Sequence, residues 1–163
     1  MFSTPIDPET TILYFMDAET ILNSPIEHGI LPQLVGFNLR RAYFIATQIF
    51  SEQFENITAI QFAILELISG NQFLSQKEIA AHVGTAPSVV VRPIRNLEEQ
   101  GLVQRTRSKQ DRRNHLITLT ETGELFMQDC RHGIRNVEDQ LLVNLTSAER
   151  ANLIVLLTKI IAR

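Results

Sequence analysis

The stretch from Leu74 to Thr120 constrains this chain more than any other, because its start and stop signals leave few folds open. It begins with a capping box. The Ser75 hydroxyl can accept from the Glu78 amide while the Glu78 side chain reaches back to the Ser75 amide, and Leu74 and Ile79 supply the flanking staple. A helix is expected from Gln76 to Gly84, which can end it in a left-handed conformation. Thr85 or Ser88 is expected to cap a second helix, with Pro87 in the first turn, where a missing amide costs little. In that helix Val90, Ile94 and Leu97 recur at helical spacing, while Arg92, Arg95 and Asn96 fall largely on the other side. Gly101 ends it. LVQRT and HLITLT then read as two strands, joined by RSKQDRRN, which is too long for a tight hairpin turn.

Two short helices followed by a basic ribbon make a helix-turn-helix with a wing. Ser88, Arg92, Arg95 and Asn96 are the candidate groove-facing residues, since arginine pairs with guanine and asparagine with adenine in a major groove. Arg107, Lys109, Arg112 and Arg113 on the wing face a single acid, Asp111, and suit phosphate or minor-groove contact. Asp111 lies two residues before Arg113, close enough to orient its guanidinium. Pro93 stands inside the second helix. It removes the bond to Val89 and predicts a kink.

The flanks are read as helical. Residues 1–29 form an arm broken by Pro5, Pro8 and Pro25, with a short apolar-sided helix expected between them. Residues 30–163 form the winged helix-turn-helix domain, with a DNA-reading lobe at about 57–120 and outer helices at about 30–55 and 121–163. On the first outer helix Leu34, Phe37, Phe44, Ile45 and Ile49 keep a helical spacing that Arg41 interrupts. Thr58 with Gln61 forms a second capping box, with Ile57 and Phe62 as the staple. Phe62, Leu65 and Ile68 read as core. Thr120 or Thr122 is expected to cap a long helix reaching about Leu145, and Thr146 with Glu149 opens the last one. There Leu153, Leu156, Leu157 and Ile160 form an apolar stripe, which fits either a two-fold partner or the chain's own core.

Charge fits this division. The chain carries a net charge of −3, the wrong sign for a nucleic-acid binder until it is mapped. Between Gly84 and Arg113 there are seven Lys or Arg against three Asp or Glu, a local +4 that leaves −7 for the remainder. Cys130 is the single cysteine, so neither a disulfide nor a thiolate cluster can form within the chain. The histidines, His28, His82, His115 and His132, lack the i, i+4 spacing of a helical metal site, so no metal and no cofactor are expected. No Lys or Arg precedes Arg40, and the longest uncharged run, Ile79–Val91, is broken by Gly and Pro. Neither a signal peptide nor a membrane span is expected, and a reducing cytoplasm is the expected location. No nucleophile elbow, phosphate loop or metal motif suggests an enzyme.

The motifs resemble those of the MarR (multiple-antibiotic-resistance regulator) family of bacterial winged-helix transcription factors. T-x-x-Q-F falls at Thr58, Gln61 and Phe62, and E-I-A at Glu78, Ile79 and Ala80. R-x-I-x-x-L-E-x-x-G-L-V runs from Arg92 to Val103, and D-R-R and L-T fall at Asp111–Arg113 and Leu119–Thr120. The resemblance covers about residues 30–162. It implies a mainly α fold with a two-stranded β wing and N- and C-terminal dimerisation helices. It also implies a homodimer on a pseudo-palindromic duplex, usually as a repressor whose affinity a small ligand or an oxidant changes. By position, Arg92 matches the recognition-helix arginine, Arg113 the wing arginine that enters the minor groove, and Asp111 the acid that holds it. The implied aromatic-ligand pocket would draw on Phe37, Arg40, Arg41, Tyr43 and Phe44, with the arginines suiting a carboxylate or phenolate. Family members that sense peroxide use a cysteine near the N-terminus, and this chain has none there. Cys130 reads as buried and inert. The rival reading is a winged-helix protein-interaction module without specific DNA binding, which Pro93 favours.

Overall fold

The computed structural model describes residues 26–71, 73–107 and 115–162, with Arg107 and His115 as backbone only. The expected helix of the N-terminal arm and the whole connection between the wing strands lie outside the described residues. The chain divides into two units, residues 1–41 and 42–163. In the first, Pro32 sits in a 3-10 turn, Leu31–Gln33, ahead of helix α1, Val35–Gln53. The Asn38 amide fastens this entry by donating to the carbonyls of Pro32 and Leu34, both at 2.9 Å. Helix α1 continues into the second unit from Ala42.

The second unit continues with α2 (Ala59–Gly70), β1 (Leu74–Ser75), α3 (Gln76–Val83) and α4 (Pro87–Glu99). Strands β2 (Val103–Arg107) and β3 (His115–Leu119) follow, then α5 (Glu121–Leu141) and α6 (Ser147–Ile161). All three capping boxes expected from the sequence form: Thr58 with Gln61, Ser75 with Glu78, and Thr146 with Glu149. Thr120, not Thr122, caps α5 by accepting from the Gly123 amide at 3.0 Å. Helix α5 stops at Leu141, a little short of the expected Leu145, and a turn carries the chain to Thr146.

The sheet has one strand more than the expected wing. Its order is β1-β3-β2, all antiparallel, with Val103 opposite Leu119 and Arg107 opposite His115. The extra strand is only Leu74–Ser75, set against Ile117 and Leu116. Two residues beside a helix cap carry no period-2 pattern, so the sequence could not announce it.

The core lies where α2, α3, α4, α5 and the sheet converge. Ile64, Leu65, Ile79, Val90, Ile94, Leu97, Ile117 and Met127 are fully buried. Removing one such side chain to alanine costs about 2–5 kcal/mol, so the three from α4 fix that helix firmly. Phe50, Phe54 and Phe62 form a ring cluster beside it, with centroids 4.6–6.4 Å apart. Between α2 and α5, Arg131 bonds both carboxylate oxygens of Glu66 at 3.1 Å and the Ser69 hydroxyl at 2.8 Å. Helix α6 contributes no buried residue; Leu153 and Leu157 are half-buried, and Leu156 and Ile160 are exposed. Its stripe therefore does not close the chain's own core. Among the described residues, no helix is long and apolar enough to cross a membrane.

Candidate nucleic-acid interface

Local chemistry sets the angle between α3 and α4. Gly84 takes φ 78°, ψ 38°, and the carbonyls of Ala80 and Ala81 accept from the amides of Thr85 and Gly84. Neither Thr85 nor Ser88 caps α4, contrary to expectation. The cap is Ala86, in extended conformation and with no side-chain acceptor, and Pro87 takes the first helical position, where its missing amide costs little. Gln76 at the start of α3 donates to the Pro87 carbonyl at 3.3 Å and joins the two helices.

Helix α4 runs through Pro93 as a single element. Its inner stripe of Val90, Ile94 and Leu97 is held in the core, which turns Ser88, Arg92 and Arg95 outward. Asn96 is half-buried and sits at the margin of that face. The two arginines differ. Arg92 has no ion-pair partner among the described residues, whereas Arg95 bonds Glu99, one turn on, at 2.8 Å. This second pair is open to water and is worth at most about 1 kcal/mol, so a phosphate or guanine can displace it. A further arginine, Arg105 on β2, pairs with Glu98 at 3.0 Å and links the end of α4 to the wing. No spacing in the sequence announces this link, since the partners belong to different elements.

The α4–β2 corner is tied in the same way. Gly101 has φ 71°, and the Leu102 amide donates back to Leu97 at 2.9 Å. The Thr120 hydroxyl donates to the Gly101 carbonyl at 2.6 Å while its amide donates to that of Leu102 at 3.1 Å. Strands β2 and β3 thus leave the body beside α4 and carry Arg107 toward the wing tip. The tip residues Lys109, Asp111, Arg112 and Arg113 lie outside the described residues.

The five candidate ligand residues belong to two units. In the first, the Arg41 guanidinium lies 5.8 Å from the centroid of the Phe37 ring, and Arg40 is exposed. In the second, Tyr43 lines a cavity of about 350 Å³ together with Thr47, Phe50, Phe54, Ile57 and Ile60. Phe44 is exposed and is not part of that lining. No motif in the sequence singles out Phe50 and Phe54. Their spacing of four, on α1 and just past its end, was the available signal. Cys130 is buried among core residues, and burial first, then the nearby Asp129 charge, pushes its thiol above the ordinary range. That is the environment of an unreactive thiol.

A helix pair with a basic outer face, set beside a ribbon carried on the same core, defines a winged helix-turn-helix DNA-binding protein. The MarR family model matches residues 57–115, from just before α2 to the first residue of β3. A protein proposed to regulate transcription of the hcr operon in Thauera aromatica is 29% identical over 136 residues, 82% of each chain. The solved transcriptional repressor CouR, bound to a 23-mer DNA duplex, is 32% identical with a TM-score of 0.77, covering 86% of this chain and all of that one. BpsR of Bordetella bronchiseptica, whose DNA binding 6-hydroxynicotinic acid regulates, is 25% identical with a TM-score of 0.75, covering 84% of this chain and 97% of that one. The chain belongs to the MarR family. It is a DNA-binding transcriptional regulator, of a class that is not enzymatic.

Proposed function

We propose that the protein is a homodimeric repressor that reads a pseudo-palindromic duplex and releases it when a small aromatic acid binds. The observation that carries this reading is the outer face of α4, where Ser88 and Arg92, which has no ion-pair partner among the described residues, stand exposed while Val90, Ile94 and Leu97 lock the helix from behind. Two such helices, about one DNA turn apart, would enter successive major grooves. Arg95 exchanges Glu99 for DNA, Asn96 reaches from the margin, and Arg107, Lys109, Arg112 and Arg113 grip backbone or minor groove, with Asp111 orienting Arg113. The apolar residues exposed on α6, among them Ile154, Leu156 and Ile160, support pairing with a second copy. The effector is placed at the cavity beside Tyr43, whose 350 Å³ is of single-ring size. Phe37, Arg40, Arg41 and Phe44 remain the sequence's other candidates for a ligand of this class.

The test is a titration against the duplex that this protein selects from a random pool, with a scrambled duplex as control and salt varied. Saturable, site-selective binding with a two-fold symmetric footprint is expected, its log affinity falling linearly with log salt. Arg92→Ala is expected to lose about 5- to 150-fold in affinity with an unchanged melting temperature. Equal, weak binding to both duplexes would overturn the reading in favour of a protein-interaction module. Release by aromatic acids such as 6-hydroxynicotinate tests the effector, and no change with any of them would remove this ligand class.

A further inference from the structure

Helix α4 carries three valines in a row, and the core accounts for only one. Val90 is fully buried, but Val89 and Val91 are 49% and 44% exposed. β-branched residues lower helix propensity, so two of them turned to water in the third and fifth positions of a helix need a reason outside the fold. Val89 stands three residues before Arg92, and Val91 four before Arg95, so each valine is neighbour to one arginine on the helix surface. Both lie in the N-terminal half of α4, the part of a recognition helix that meets base edges.

We propose that Val89 and Val91 read the C5-methyl groups of thymines that flank the bases contacted by arginine. This rests on the DNA-reading role of α4 given above and names the bases beyond the basic contacts. A major groove displays one apolar group, the thymine methyl, and small apolar side chains recognise it. The patch has the right grain for that target. Its two apolar spots are separate and each adjoins a cation, whereas a protein partner would call for a contiguous apolar face. Branching at Cβ also fixes χ1, so the methyl groups are held ready in position.

The experiment starts from the duplex selected from a random pool and replaces each thymine in turn by deoxyuridine, which removes only the methyl. The wild-type protein is expected to lose about fourfold in affinity for each methyl it contacts, with at least one such thymine in each half-site. Val89→Ser/Val91→Ser, in which a hydroxyl replaces the valine methyls at similar helix propensity, is expected to bind thymine and deoxyuridine duplexes equally well. The proposal is overturned if no replacement weakens wild-type binding, or if the double variant still discriminates, while selective DNA binding stands. A pool from which no sequence is enriched overturns both this inference and the regulator reading beneath it.

Discussion

At the scale of single residues, the L-T pair of the wing shows how a short motif can be visible long before its reason. Leu119 was plain in the sequence as a strand end, and Thr120 as one of two candidate caps. Their wider task became apparent only in three dimensions, where Thr120 also bonds the carbonyl of Gly101, nineteen residues earlier. Gly123 completes the arrangement. A Cβ there would overlap the Leu102 carbonyl, a backbone atom that cannot rotate away. Gly123→Ala is therefore expected to cost about 1–3 kcal/mol, lowering the melting temperature by several degrees in a thermal scan. An unchanged transition would show that α5 can slide off the corner freely. The basic face of α4 was likewise legible from charge and spacing. What spacing could not give was the state of each arginine, because the bond from Arg105 to Glu98 depends on how β2 returns past α4.

At the scale of elements, the three capping boxes are one device in two chemical forms. Helix α2 uses Gln61, which is buried, and a neutral amide there avoids placing a charge out of water. Helices α3 and α6 use Glu78 and Glu149, both exposed, and their carboxylates sit below the ordinary value of 4.5. The largest cause in each is the hydroxyl of the cap, Ser75 or Thr146, and the cap amide adds to it. A folded-state value held below the unfolded one stabilises above pH 4.5 and is lost as pH falls through the lowered value. Thermal stability is thus expected to decline on acidification below about pH 4.5, with a shallower limb in Glu78→Gln/Glu149→Gln, since glutamine retains the acceptor as Gln61 does. Melting curves between pH 7 and 3 measure this, and parallel limbs for the two proteins would sink it. The boxes were readable because every partner lies within three residues. The cap of α4 was not, since Ala86 has no side-chain acceptor to announce it.

At the scale of the whole molecule, the sequence left the last helix with two possible neighbours, because an apolar stripe looks the same whichever core it serves. In the structure α6 stays outside the described core: it buries no residue fully, and the described ties at its start are the bonds from Arg150 to Asp139 and to the Leu145 carbonyl. If a second copy covers this face, as proposed, Leu156→Asp is expected to shift the protein from dimer toward monomer in sedimentation velocity and to weaken DNA binding with it. A distribution unchanged at micromolar concentration would count against α6 as the contact. The lone cysteine has a use at this scale too. Cys130 sits in the core on α5, the helix that Arg131 and Thr120 fasten to α2 and to the wing corner. A thiol reagent can reach it only when that fastening opens, so its labelling rate is a native clock for the opening of the molecule. No dye or second cysteine has to be engineered in, and whatever DNA or effector does to the clock's rate is a direct reading of how each one redistributes local stability.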